Sequence, residues 1–264
     1  MEDVILERIT ESAEAQGARR PTDGRGKLKR NPRGKKWKKR NVDALKGMVW
    51  HQELGWGTVE GVAKYHTGPE SHLHDGGVES ISYTFAIRRN GQIVLCNDFD
   101  RAVWSQGFRG RRGDENAEFM SVMFEGYFHG PRVTEPSAGE PNANQISAAL
   151  SLWRICKDEW GWDEDDLYGH YHFGKPACPG TTLEELIESI RANAPAPKHD
   201  LTDTKGRQRA LKTLGFYAGR IDGNWGPRSK GALIRFQEKK GLVPDGIWGP
   251  KTEAAMVQAL AVGR

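Results

Sequence analysis

Near the C-terminus one phrase occurs twice, and it limits the possible folds more than any other feature of the chain. Asp222-Gly-Asn-Trp225-Gly-Pro-Arg-Ser229 returns 23 residues later as Asp245-Gly-Ile-Trp248-Gly-Pro-Lys-Thr252. Each copy is a Gly-rich turn with a Trp anchor, then Pro at the first helical position, where an N–H would lack a partner anyway. An apolar stripe follows each copy: Leu233 and Phe236 after the first, Ala255, Met256 and Leu260 after the second. With a helix predicted over Arg207–Leu214, these halves make a small all-α three-helix domain over residues 206–264. Before it, residues 194–205 read as a Pro-stiffened linker without apolar periodicity.

The longer part upstream alternates strand-like and helix-like runs. Gly47-Met48-Val49-Trp50-His51 reads as a buried strand. Ile81 to Ile87 alternates with period two, and Asn90-Gly91 turns it back into Ile93-Val94-Leu95, a hairpin signal. Met120 to Phe128 is a further strand candidate with a single carboxylate, Glu125. Ile146, Leu150, Trp153, Cys156 and Trp160 recur at helical spacing, and Thr182-x-x-Glu185 reads as a capping box opening another helix. The expected fold class is α/β, a mixed central sheet flanked by helices, over residues 41–193. Residues 1–40 are expected to supply a short amphipathic helix and then a cationic surface arm.

The net charge of +4 hides a polarised distribution. Arg25 to Arg40 holds ten Lys/Arg and no acid, residues 113–190 hold fifteen acids against four bases, and the tail from Arg207 is basic again. Two basic ends expect a polyanionic partner. Three cysteines, Cys96, Cys156 and Cys178, exclude a disulfide scaffold and suit a reducing compartment. No apolar run approaches the roughly 18 residues of a membrane span. Met1-Glu2-Asp3 opens the chain without a cationic start and apolar stretch, so no Sec-type signal peptide is expected.

Catalytic zinc needs about three protein ligands and one open position. The best local source is Gly169-His170-Tyr-His172-Phe-Gly-Lys175-Pro-Ala-Cys178-Pro179-Gly180, a Gly/Pro-rich loop that can fold back and bring a His and a Cys together. The plainer alternative is an inert buried Cys beside a surface His.

These segments resemble the zinc-dependent type 2 N-acetylmuramoyl-L-alanine amidases, whose fold is shared with peptidoglycan recognition proteins. The resemblance runs from Asn41 to Asn193. It rests on Met48-Val49-Trp50-His51, Ser82 to Ile87 with Asn90-Gly91, Ser121 to Phe128, and Gly169-His170 through Cys178-Pro179-Gly180. The tail resembles the peptidoglycan-binding type 1 domain.

The resemblance implies one zinc per chain, held by His51, His170 and Cys178, with His172 the rival to His170. It implies catalytic roles for Tyr83 toward the oxyanion and for Glu125 or Lys175 in proton transfer. It also implies substrate contacts from Trp104 and Gln106. Tyr83 has a competing reading as a core Tyr, and Glu125 as an Arg-paired strand carboxylate. His66, His72 and His74 read as a polar loop near the cleft mouth.

Four departures from the family pattern stand out. Gln52 follows the first ligand, where members often have His or Cys. Trp104-Ser-Gln106-Gly107 replaces a Trp-His-Ala-Gly loop. Pro176 stands two residues before the third ligand, with Lys175 one step earlier. The strand Glu of some members aligns with Met123 or Glu125.

The implied activity is hydrolysis of the amide between the lactyl group of N-acetylmuramic acid and L-alanine in bacterial peptidoglycan. The implied setting is a phage endolysin, a monomer made in the host cytoplasm and released to the wall by a holin. The competing classes are a bacterial autolysin and a non-catalytic peptidoglycan receptor, which typically lacks the Cys ligand. Anionic wall polymers are the partners residues 25–40 can meet, and nucleic acid is not expected.

Overall fold

Helix α1 (Glu2–Ala15) opens the fold, and its Ile5, Ile9 and Ala13 recur every four residues to make one buried stripe. The computed structural model describes residues 1–53, 55, 57–106, 115–130, 138–192, 201–219 and 221–262. It divides into two units, Met1–Glu159 with Asp163–Asn193, and Ala194–Arg264 with Trp160–Trp162.

In the first unit, the strands in chain order are β1 (Thr22–Asp23), β2 (Lys38–Lys39), β3 (Gly47–Gln52), β4 (Phe85–Ile87), β5 (Ile93–Leu95), β6 (Arg101–Ala102), β7 (Phe119–Phe124) and β8 (Leu167–Gly169). The helices after α1 are α2 (Val59–His66), α3 (Glu115–Glu118), α4 (Ala143–Trp160) and α5 (Thr181–Ala192). Six strands form a mixed sheet in the order β1-β5-β4-β7-β3-β8, in which only β4 and β5 run antiparallel. β2 and β6 pair separately.

The central strands β3 and β7 are buried along their whole length, which is why both read as apolar runs rather than alternations. Because β3, β7 and β8 are parallel, Gln52, Phe124 and Gly169 end at the same edge of the sheet. Open sheets of this kind carry their ligands at such an edge. Helix α2 packs Val59, Val62 and Ala63 against Ala86, Val94, Cys96 and Met123. Each large aliphatic side chain buried this way stabilises the fold by about 1.5–3 kcal/mol.

The hairpin forms at Asn90-Gly91, where Gly91 takes φ +80° and the Asn90 side chain accepts the Gln92 N–H. The strand leading into it is shorter than its alternation predicts. Ile81 to Tyr83 leave the sheet, where the buried Asn97 amide donates to the carbonyls of Ile81 and Tyr83, at 2.7 and 2.8 Å. The strand expected over Met120–Phe128 likewise stops at Phe124. Along α4 the buried stripe is Ala149, Leu152, Trp153 and Cys156, so Ile146 and Leu150 are only half-buried. Helix α5 starts at Thr181, and Thr182 lies in its first turn with its hydroxyl bonded to Glu140 rather than capping.

The basic stretch is a surface segment with three buried anchors. Residues 21–40 lie along the first unit instead of standing off it, pinned by β1, β2 and the buried Leu28, Trp37 and Arg40. Trp37 donates its backbone N–H to Glu79 and its indole N–H to Ser80. Lys27, Lys29, Arg33, Lys35 and Lys38 remain on the surface as a cationic strip.

The second unit contains α6 (Thr204–Thr213), α7 (Pro227–Lys239) and α8 (Pro250–Val262) around Ala210, Leu211, Ala232, Leu233, Phe236 and Met256. Helix α6 starts three residues before the predicted Arg207 because Asp203 caps it, and Leu201 already belongs to this core. The linker residues 194–200 lie outside the described residues.

Both repeat turns are built alike. Asp222 accepts the Asn224 N–H and Asp245 the Ile247 N–H, each at 2.8 Å. A buried glutamine from the preceding helix grips each turn. Gln208 donates to Asp222, the Asn224 carbonyl and Ser229, and accepts from Gly223. Gln237 makes the equivalent set with Asp245, Ile247, Thr252 and Gly246. Trp225 and Trp248 pack edge to face, 6.0 Å apart, on the same core. The repeated residues thus brace turns.

Gln237→Ala should therefore destabilise this unit by about 2–3 kcal/mol, since several buried groups lose their partner together. Urea titration of the full chain measures this, with Lys239→Ala as a surface control expected to change stability by less than about 0.5 kcal/mol. Equal midpoints for the two variants would remove the brace.

Candidate metal centre

His51 is the penultimate residue of β3 and stands in register with Met123 of β7, so it emerges on the face that carries α2. His170 follows directly on β8. Gly169, the last residue of that strand, is required, because a Cβ there would fall 2.2 Å from the Tyr171 ring. A 3-10 turn over His170–Phe173 and a left-handed Gly174 then reverse the chain, bringing Cys178 back beside the end of β3.

The result is a buried triad of His51, His170 and Cys178 whose donor atoms all lie within 4.8 Å of one another. The two Nδ1 atoms are 3.1 Å apart, and the Cys178 sulfur is 3.9 Å from His51 Nδ1. Donors around tetrahedral zinc, at about 2.0–2.1 Å for nitrogen and about 2.3 Å for sulfur, lie roughly 3.3–3.6 Å from each other. Two imidazoles with a thiolate are also a donor set that suits zinc. The residues present fit the ion.

Electrostatics favours neutral ligands. Burial, reinforced by His170, holds the His51 pKa well below the usual imidazole range. Burial pulls His170 down to about 4. The Cys178 thiol is pushed up to about 12 by burial, against the backbone N–H that Gln52 donates to its sulfur. A cation binding here displaces that thiol proton. His170 Nε2 lies 2.9 Å from the Gln106 carbonyl, which can only accept, so Nε2 carries the proton and Nδ1 is the free donor. His51 Nε2 is buried with no hydrogen-bond partner among the described residues.

His172, the rival ligand, turns its Nδ1 back onto Gly169 and its Nε2 toward Glu188, 3.6 Å away. It is outside the triad. Gln52 takes on a role of its own. Its side chain donates to the Ala177 carbonyl and accepts the Phe128 N–H, clamping the Cys178 loop to the strand end.

Tyr83 packs edge to face on His51 with ring centroids 5.3 Å apart. Burial, with smaller contributions from Cys178 and Glu53, raises the phenol pKa, so it stays a donor. Exposed Lys175 lies close enough for its ammonium to lower the pKa of both His170 and His72. Glu125 is engaged elsewhere. Its carboxylate accepts the N–H groups of Val59 and Arg89 at 2.7 and 3.0 Å, with the Arg88 guanidinium 3.6 Å away. This is the Arg-paired alternative: each carboxylate oxygen accepts one backbone N–H, and the guanidinium lies beside them.

Trp104 is half-buried against Trp37, 5.7 Å between rings, and Gln106 is buried, its amide nitrogen having no partner among the described residues. Gly107, the end of that loop motif, lies outside the described residues. His66 is buried and accepts the Ser82 N–H, while His72 sits outward beside Tyr65. The sequence reading missed Glu53, two residues past His51. Burial raises its pKa, and it accepts the Gly57 N–H.

Comparison with known proteins agrees with this layout. The family described as N-acetylmuramoyl-L-alanine amidase matches residues 41–181, and that described as putative peptidoglycan binding domain matches residues 203–256. Among solved structures, the endolysin N-acetylmuramoyl-L-alanine amidase LysCS from Clostridium intestinale URNW is similar at 18% identity. The match covers 59% of this chain and 90% of that one, with a TM-score of 0.42. Bumblebee PGRP-SA is similar at 17% identity over 64% of this chain and 94% of its own, with a TM-score of 0.47. Drosophila peptidoglycan recognition protein SD is similar at 17% identity over 64% and 93%, with a TM-score of 0.43. Comparison with curated proteins returns no match. Since the first family match spans more than half of its residues, this chain belongs to the N-acetylmuramoyl-L-alanine amidase family.

Proposed function

We propose that the chain is a zinc-dependent amidase that cuts the bond between the lactyl group of N-acetylmuramic acid and L-alanine. The observation that supports this most is the convergence of His51, His170 and Cys178 at one sheet edge, inside the family match. Zinc held by these three residues supplies Lewis acidity toward a carbonyl and toward water.

The chain's own residues account for the remaining chemistry. Tyr83 keeps its proton and can donate a hydrogen bond to an oxygen that gains charge as the amide carbon becomes tetrahedral. Lys175 offers a second positive group on the exposed side of His170, suited to stabilising that charge or passing a proton to the leaving amine. Gln106 holds His170 in one tautomer through its carbonyl, and its unpartnered amide can meet a polar group of the substrate. Trp104 supplies an aromatic wall. Glu125 is left out of the proton path and serves instead as a bracket between α2 and the end of β4.

A catalytic unit followed by a peptidoglycan-binding module supports a lytic role, and we read the protein as a phage endolysin acting on the host wall. Among the described residues no helix is long and apolar enough to cross a membrane. The cationic strip from Lys27 to Lys38 suits anionic wall polymers.

Mass spectrometry of digested peptidoglycan tests the central claim. The expected product is a stem peptide with a new free L-Ala amine beside intact glycan strands. New reducing sugar ends without that amine would assign a different bond.

A further inference from the structure

Arg40 closes the densest run of positive charge in the chain, yet it is the one cation of that run whose side chain is buried. Among the described residues its guanidinium faces no carboxylate at bonding distance. It donates instead to the carbonyls of Phe99 and Phe119 at 2.6 Å each and of Asn116 at 3.0 Å. A solvated charge run predicts nothing of this. These bonds fix α3 against the start of β7, and Asn116 uses that anchorage. Its side-chain oxygen accepts the Gln106 N–H at 3.1 Å, and the Gln106 carbonyl accepts from His170 Nε2 at 2.9 Å.

From this chain of contacts we infer that Asn116 is a positioning residue for the metal centre, acting on His170 through the Gln106 backbone. The inference rests on the zinc reading above and extends it outward by two hydrogen bonds. A ligating imidazole is oriented by the partner of its other nitrogen, and losing such a partner typically costs about 10–100-fold in metal affinity. Here the partner is a backbone carbonyl, which no substitution at position 106 removes. The side chain that sets its position is therefore the residue open to change. Asn116 reaches the triad through the Gln106 backbone, by way of the N–H it accepts and the carbonyl that faces His170.

The test uses the full chain and zinc itself. Competition with a chelator should show Asn116→Ala binding zinc about tenfold more weakly than the parent. Asn116→Asp, which keeps the accepting oxygen, should stay within about twofold. Nitrogen-15 imidazole spectra at neutral pH should find His170 of the parent in the Nε2–H form and a tautomer mixture in Asn116→Ala. A simple loss of stability would lower the melting temperature without changing the tautomer. Equal zinc affinity for Asn116→Ala and the parent would overturn the inference. So would an Nδ1–H His170 in the parent, a result that needs no variant to fold. If the parent itself fails to bind zinc, the metal reading fails, while the His170 tautomer still decides the role of Asn116.

Discussion

Cys178→Ser is expected to empty the chain of zinc after dialysis and to abolish muropeptide cleavage while leaving the fold in place. The thiol is one of three donors, and no fourth His, Cys or carboxylate joins the cluster among the described residues. Replacing thiolate sulfur by a hydroxyl takes away the anionic ligand, so roughly a hundredfold or more in affinity should go with it. The fold has less at stake. Serine is nearly the same size, and its oxygen can still accept the N–H that Gln52 gives to the sulfur. The loop also keeps the Gln52 clamp on Ala177 and the Cys178 N–H bond to the Lys175 carbonyl. Circular dichroism should therefore match the parent. Cys96→Ser makes the contrast. That thiol lies in the apolar layer beneath α2, so the change should cost stability by about 1–3 kcal/mol but retain one zinc per chain. Stoichiometric zinc in Cys178→Ser by elemental analysis would remove Cys178 from the ligand set and the proposed chemistry with it.

The two cysteines behave so differently because of where the backbone carries them, and that explains what was legible beforehand. A strand whose register is fixed by burial on both faces announces itself, so β3 and its His51 could be read from Gly47 to His51 directly. The hairpin at Asn90-Gly91 and the prolines opening α7 and α8 follow local rules and were equally plain. The return of Cys178 to His51 depends on a loop reversal that no periodicity encodes, and it was readable only through family resemblance.

Where a side chain replaced a backbone partner, sequence reasoning went wrong. Asn97 takes the carbonyls of Ile81 and Tyr83 away from the sheet, and an alternating pattern cannot reveal that. Glu125 is a buried carboxylate at a strand end in either role. The N–H groups of Val59 and Arg89, far apart in sequence, are what favour the bracket. In the basic run the anchors Leu28, Trp37 and Arg40 are spaced without a period, so composition alone does not single them out. Gln208 and Gln237 escaped for a related reason. They do the same work in the two repeats but precede Asp222 and Asp245 by different distances along the chain.

Ending the chain at Pro197 should separate cutting from wall attachment. All three metal donors, Tyr83, Lys175 and the strands that position them lie in the first unit, and the amidase family match stops at residue 181. The second unit has its own core, from Leu201 and Leu211 to Phe236 and Met256, and its turns are tied by its own Gln208 and Gln237. Zinc content and hydrolysis of a soluble muropeptide should accordingly stay within about twofold of the full chain. Insoluble walls pose a different problem, because the substrate is fixed and the enzyme must remain near it. A tethered binding module raises the local enzyme concentration, and its loss commonly lowers effective affinity by about 10²–10⁴-fold where both modules can engage. Pelleting with purified walls should therefore fall sharply, and clearing of a wall suspension should slow with it. Because the repeated Asp and Trp residues brace turns, Asp222→Ala in the full chain should reproduce part of the pelleting defect by loosening the module. Muropeptide hydrolysis should be untouched in that variant. Loss of zinc or of muropeptide cleavage on truncation would instead make the helical tail part of the catalytic fold. Unchanged pelleting would move wall attachment onto the first unit, where the strip from Lys27 to Lys38 is the surface with the charge to provide it.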